Sequence, residues 1–179
     1  MRQSEVIGLS WPDVDFRKGI IFVRRQLVKL PEKGQGYIFS SPKSRKSRII
    51  KPAQTVMRIL DHQREQQKHW AQTAGSAWDN PDNLVFTNEV GRHLAHVTVY
   101  KRFKDIVREL GFPECRFHDL RHTFATVSLE NGDSIKTVQA NLGHATASFT
   151  MAKYAHVSEV MRMESSVQMD RFIHNVSDL

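Results

Sequence analysis

Apolar residues recur every third or fourth position over most of this chain, and only an early stretch carries the β-branched and aromatic runs of strands. The pattern predicts a mainly α protein with a small antiparallel β-sheet, an α+β domain. Arg2 to Trp11 reads as a first helix, with Val6 and Leu9 toward a core and Arg2 and Glu5 sharing another face; Pro12-Asp13 ends it. Gly19 to Val28 reads as a strand through Ile20, Ile21, Phe22 and Val23. Lys33-Gly34-Gln35-Gly36 is turn material, and Tyr37-Ile38-Phe39 a second strand. Pro42 to Ser47 is a basic turn, and Arg48-Ile49-Ile50 a returning strand.

Helical spacing then takes over. Ala53 to about Gln72 places Val56, Ile59 and Leu60 on an apolar side, and Gly75 to Asn83 is a loop before the short apolar Leu84-Val85-Phe86. Thr98 to Leu110 is a helix with Phe103, Ile106, Val107 and Leu110 expected inward, stopped at Gly111. A helix from about Phe117 to Glu130 follows, closed by Asn131-Gly132. Ser134 to Leu142 is a shorter one, with Ile135, Val138 and Leu142 inward and Gly143 as its stop. Ala147 to Tyr154 is expected to be helical, and an amphipathic tail runs from Val157 to about Phe172.

Composition narrows the class. A chain of 179 residues with 40% hydrophobic content can bury one full core. Its formal net charge of +7 favours polyanionic partners without specifying a fold. A single cysteine, Cys115, excludes an internal disulfide and fits a reducing compartment. With no membrane-length apolar run and no signal-like start, an intracellular, cytoplasmic protein with no membrane partner is expected.

The chemistry concentrates in the helix around His118-Asp119-Leu120-Arg121-His122-Thr123. Residues three and four apart share a helix face, so His118, Arg121, His122 and Ala125 fall together, while Leu120, Phe124 and Val127 form a stripe expected to meet the core. An imidazole beside a guanidinium suits a phosphate. His118 and His122 are also spaced for a metal on one face, but the sequence supplies no third ligand, so no metal is expected.

Two further stretches, Leu142-Gly143-His144 and Lys153-Tyr154-Ala155-His156-Val157, follow this helix. Together with Arg2-Gln3-Ser4-Glu5 and the Pro42-Lys43-Ser44 turn, the series resembles the catalytic half of tyrosine recombinases, the phage-integrase family, whose order is Arg, Lys, His-x-x-Arg, His or Trp, Tyr. The resemblance runs from Arg2 to Tyr154 and implies the DNA breaking-rejoining fold. It implies that Tyr154 attacks a DNA phosphodiester to give a 3′-phosphotyrosyl link and a free 5′-hydroxyl. Arg2 and Arg121 would clamp the non-bridging oxygens, where two planar guanidiniums offer paired donors. His118 would share the phenolic proton, which matters because a phenol with a pKa near ~10 is a poor nucleophile at neutral pH. His144 would donate to the phosphate, Glu5 would hold the site's geometry, and Lys43 would protonate the leaving oxygen, with Lys46 its rival. Arg45, Lys46, Arg48 and His122 are expected DNA contacts. Bond energy stays in the phosphotyrosine, so no cofactor is needed.

Each of these residues also has a plainer reading. Tyr154 alone could be an amphipathic core tyrosine, His144 a helix-ending histidine, and the basic turn a backbone contact without chemistry. Double-stranded DNA is the expected partner, with a homo-oligomer, a tetramer on DNA and a monomer when free. The chain is expected to be a single catalytic domain, residues 1–179, that lacks the family's N-terminal start and upstream DNA-binding domain. Its tail, residues 157–179, is a candidate for exchange between subunits. A non-catalytic DNA-binding relic, or type IB topoisomerase-like relaxation, is the alternative function.

Overall fold

The computed structural model describes residues 1–30, 36–43, 46–143, 167, 169–171, 173 and 174. The chain forms two compact units, Met1–Arg121 and His122–Leu179.

The first unit opens with α1 (Gln3–Ile7), a single short helix rather than one reaching Trp11. Trp11–Asp13 forms a separate 3₁₀ turn with Pro12 near its start, where a missing N–H does no harm. Gly8 ends α1 where the helix meets a strand backbone: a Cβ there would lie 2.7 Å from the Leu27 nitrogen, so only glycine permits the approach.

Five strands follow, β1 (Val14–Asp15), β2 (Ile20–Val23), β3 (Gln26–Lys29), β4 (Tyr37–Ser40) and β5 (Arg48–Ile50). They form two sheets, a three-stranded β1-β2-β5 and a two-stranded β3-β4. The expected continuous strand from Gly19 to Val28 is broken at Arg24-Arg25. Each of these arginines is drawn to its own partner. Arg24 pairs with Asp13 at 3.3 Å and lies over the Phe22 ring, while Arg25 stacks on Phe39 and donates to the Asp82 carbonyl at 3.1 Å. The strand leading out of the basic turn does return, but to β2: Arg48 pairs with Val23, Ile49 with Phe22 and Ile50 with Ile21.

Helix α2 (Gln54–Ala74) packs Met57 and Leu60 with Val14 and Ile21 of the three-stranded sheet, and α3 (His96–Glu109) contacts α1. The core joins Leu9, Val14, Ile21, Met57, Leu60 and Val85. Val56 and Ile59, expected inward, are exposed, and Met57 takes the buried position beside Leu60. In α3 only Val107 is fully buried; Ile106 and Leu110 face solvent. The apolar 84–86 stretch is held as an extended segment, not a strand. Buried Gln67 of α2 donates to the Leu84 and Val85 carbonyls, both at 3.0 Å, and accepts from Trp11 Nε1 at 2.8 Å. These side-chain bonds add to an antiparallel bridge between Ser10 and Leu84, where the Val85 N–H donates to the Leu9 carbonyl at 2.9 Å.

Helix α4 (Asp119–Glu130) carries the His-x-x-Arg element, and the boundary between the units falls within it. Its expected inward stripe is corrected. Leu120, Phe124 and Val127 are 49%, 44% and 47% exposed, whereas Arg121 and Ala125 are buried. In the second unit Ala125 and Leu129 pack on Val138 and Leu142 of α5 (Ile135–Leu142). Ser134 caps α5 by accepting the Thr137 N–H at 3.1 Å, and Gly143 ends it in the left-handed conformation at φ 66°. Both ends match their sequence signals. Described tail residues 167, 169–171, 173 and 174 are helical, with Val167, Met169 and Ile173 exposed. Among the described residues no helix is long and apolar enough to cross a membrane.

Candidate active site

The site is built from the start of α1, the start of β5 and the start of α4. Glu5 stands at its centre, fully buried. Its Oε2 accepts the Arg2 backbone N–H at 2.8 Å, and its Oε1 accepts Arg2 Nη1 at 3.0 Å. Arg48 reaches the same carboxylate from the sheet as a two-pronged fork, Nη1 to Oε1 at 3.0 Å and Nη2 to Oε2 at 2.7 Å. Each carboxylate oxygen therefore takes one bond from each arginine. Burial opposes ionisation of Glu5, but the hydrogen bond from Arg48, the backbone N–H of Arg2 and the charges of both arginines outweigh it. Its pKa is lowered from 4.5 to about 2, so the carboxylate is charged throughout the physiological range.

Arg121 joins this corner, with 6% of its surface exposed. The Met1 nitrogen marks the convergence, within electrostatic reach of Arg121, Glu5, Arg48 and Arg2. One point in space thus feels the charge of Arg2, Glu5, Arg48 and Arg121. His118 lies one turn ahead of Arg121, exposed, and its carbonyl accepts the Arg121 N–H at 3.1 Å. Arg116 fixes that turn by a fork onto Asp119, Nε to Oδ2 at 3.1 Å and Nη2 to Oδ1 at 2.9 Å.

The expected site residues therefore divide. The structure brings together Arg2, Glu5 and Arg121. It places Lys43 and Lys46 exposed on the connection from β4 to β5. His122 is half-buried on α4, in the second unit. Arg48 departs from its expectation as a DNA contact. Its side chain is 8% exposed and its fork is given to Glu5, so its charge is turned inward. Arg45, His144 and Tyr154 lie outside the described residues. Sequence reasoning missed the Arg48–Glu5 pair, which joins residues 43 positions apart. The available signal was a cation at the start of an otherwise apolar strand, Arg48-Ile49-Ile50, since a charge carried into a sheet needs a partner.

Tyr37 has a structural place away from this corner. Its hydroxyl accepts the His96 N–H at 3.2 Å and its ring packs on His93 and His96, with centroids 4.5 and 5.6 Å away. Ser4 and Gln3 of α1 bond His96 as well, which ties α1 to α3.

This fold is that of tyrosine recombinases. The chain superposes on the Tn1549 transposon integrase in complex with transposon right end DNA with a TM-score of 0.74 and 25% identity, covering 92% of this chain and 54% of that one. It shares the fold of XerA recombinase at a TM-score of 0.64 and 24% identity, covering 90% and 52%. The phage integrase family model matches residues 1–160, and the chain belongs to that family. A XerC-like tyrosine recombinase of Caldanaerobacter subterraneus subsp. tengcongensis is 35% identical over 166 residues, 88% of this chain and 42% of the relative. A putative prophage phiRv2 integrase of Mycobacterium tuberculosis is 29% identical over 181 residues, 98% of this chain and 44% of the relative. The chain thus spans less than half the length of these two curated relatives.

Proposed function

We propose that this chain is the catalytic part of a site-specific recombinase that cuts and rejoins double-stranded DNA through a 3′-phosphotyrosyl intermediate on Tyr154. The observation that carries the reading is the convergence of Arg2 and Arg121 on one buried corner organised by Glu5. Two guanidiniums so placed can neutralise the charge that builds on the non-bridging oxygens as the phosphorus becomes five-coordinate. Only Nη1 of the Arg2 guanidinium goes to Glu5, and its Nε and Nη2 take no hydrogen bond among the described residues. Those donors remain for a phosphate.

The other roles follow from position in the family's order. His118 precedes Arg121 by one turn and shares the phenolic proton of Tyr154. His144 donates to the phosphate. Lys43, exposed on the turn before β5, protonates the leaving 5′-oxygen, with Lys46 the alternative acid. Lys46, Arg45 and His122 contact the DNA backbone. No cofactor enters, because each transesterification exchanges one oxygen–phosphorus bond for another. On DNA the protein assembles as a tetramer from free monomers. The tail, whose Val167, Met169 and Ile173 are exposed, docks on a neighbouring subunit.

A nicked suicide duplex tests the reading. The cleaved strand loses its 5′-hydroxyl fragment, so the attack cannot reverse and a covalent protein–DNA adduct accumulates. The duplex is selected from a random-sequence pool by covalent capture with the wild-type protein. Tyr154→Phe is expected to abolish the adduct and leave binding intact. An adduct that persists in this variant, or maps to Tyr37 or Tyr100, contradicts the assignment. DNA binding without any adduct in the wild type points instead to a non-cutting relic, and relaxation of supercoiled plasmid without strand exchange to a topoisomerase.

A further inference from the structure

We infer that Arg48 is a positioning residue for cleavage: through Glu5 it sets the Arg2 guanidinium that receives the phosphate. The inference rests on the recombinase reading for the identity of that phosphate, and on the geometry alone for the coupling between the two arginines.

Arg2 sits at the N-cap of α1, a helix of five residues. An isolated helix so short has no stability of its own, because helices under about 12–15 residues are marginal in water. Something else must hold Arg2 in place. The structure supplies a relay of direct contacts. Arg48 is part of β5 and pairs in register with the buried Val23 of β2, the central strand of its sheet. Its fork takes both oxygens of Glu5, which fixes the carboxylate against rotation. The same two oxygens then take the backbone N–H and the Nη1 of Arg2. Side-chain exposure is 8% at Arg48, 0% at Glu5 and 23% at Arg2. The last member is the one that can meet a ligand.

A buried ion pair of this kind is a poor way to gain stability, since a well-packed apolar pair of similar volume does as well or better. It is a good way to fix direction, because a bidentate fork allows one geometry. A lysine at position 48 keeps the charge but has no fork, so it cannot grip both oxygens. The relay also explains why a strand residue so near the basic turn is turned inward. The chain that bears Lys43 and Lys46 enters β5 at the residue that holds Arg2, so one strand start serves both groups.

The experiment compares wild-type protein with Arg48→Lys on two versions of the captured suicide duplex. One carries the ordinary phosphodiester. In the other, the scissile phosphate is a methylphosphonate, which lacks the non-bridging negative charge that the arginines hold. On the phosphodiester, single-turnover adduct formation by Arg48→Lys is expected to slow about 10²-fold, the cost of a group displaced by roughly 1 Å, with DNA affinity unchanged. On the methylphosphonate the difference from wild type should close. Equal slowing on both substrates overturns the inference, because a general loss of fold or of DNA binding does not distinguish them. Should Arg48→Lys fail to fold, the doubly neutral pair Glu5→Gln with Arg48→Met removes both buried charges and is expected to show the same substrate-selective loss.

Failure of the recombinase reading looks different, since the wild type then captures no duplex. Nitrogen-15 resonances of the arginine side chains decide the coupling in that case. Arg2 is expected to show resolved, slowly rotating guanidinium signals in the wild type and averaged ones in Arg48→Lys. Signals unchanged by the substitution overturn the inference.

Discussion

Lys43 and Lys46 on the one hand, and Arg48 on the other, stand within six residues of one another on the same basic segment, yet the structure treats them oppositely. The lysines are exposed on the connection between two sheets, while Arg48 is buried on a carboxylate. The difference comes from backbone and solvation. A turn leaves its side chains in water, where a cation costs nothing and is open to a polyanion. The first residue of a paired strand is carried against the core, where a cation survives only with a partner. Neighbouring charges of one sign therefore carry different meanings, and the meaning is set by where the backbone starts to pair.

The largest effects are expected on the buried side of this contrast. Glu5→Ala removes the buried carboxylate that Arg48 grips, and Arg48→Ala leaves buried Glu5 with Arg2 in place of two arginines; each is expected to cost about 3–5 kcal/mol in denaturant unfolding. Lys43→Ala in the same assay serves as the control; a comparable loss there would erase the distinction.

The pH dependence is the next largest. Glu5 has its pKa lowered from 4.5 to about 2 in the fold. A lowered carboxylate contributes its stability fully above the unfolded value and loses it as pH falls through the folded one. The window therefore runs from about pH 4.5 down to about pH 2, and the contribution at neutral pH is of the order of 3 kcal/mol. Stability measured across that window should fall, and in Glu5→Gln the fall should be shallower by that contribution. Equal slopes in the two proteins would show that the carboxylate is not held by the arginines.

The smallest effects belong to the exposed lysines. Lys43→Ala and Lys46→Ala should each change stability by no more than about 0.5 kcal/mol, as surface substitutions do. Each should instead lower the slope of log affinity against log salt by about 1 if its ammonium meets a DNA phosphate. An unchanged slope for both removes the turn from the DNA interface.

These contrasts also show what can be read from the chain without its structure. The long helix α2, the helix α3 and the capped α5 follow from spacing and end signals, as with Ser134 and Gly143, because those are local effects. The order of the candidate site residues rests instead on the resemblance to the family. Three things could not be read. The strand over Gly19 to Val28 looks continuous because Arg24 and Arg25 differ from their neighbours only in their partners, Asp13, Phe39 and the Asp82 carbonyl, all distant in sequence or brought near by folding. The inward side of α4 is not legible in the sequence because apolar residues occupy both faces. Leu120, Phe124 and Val127 outweigh Ala125 and Leu129 in size, and periodicity alone cannot choose between two stripes. The Glu5–Arg48 fork joins α1 to β5 across 43 positions, so no local pattern announces it. In each case the missing information is a long-range contact.

The most direct test of Glu5 as the joint that holds both arginines is a double-mutant cycle on unfolding free energy with Glu5→Gln, Arg48→Met and the pair combined. Each single change strands a buried charge or breaks the fork, while the double change removes the charge from both sides. The double variant is expected to be more stable than the sum of the single losses implies, with a coupling of about 2 kcal/mol or more. Losses that simply add, within about 0.5 kcal/mol, would mean that the two residues do not depend on each other and would contradict the arrangement described for this corner.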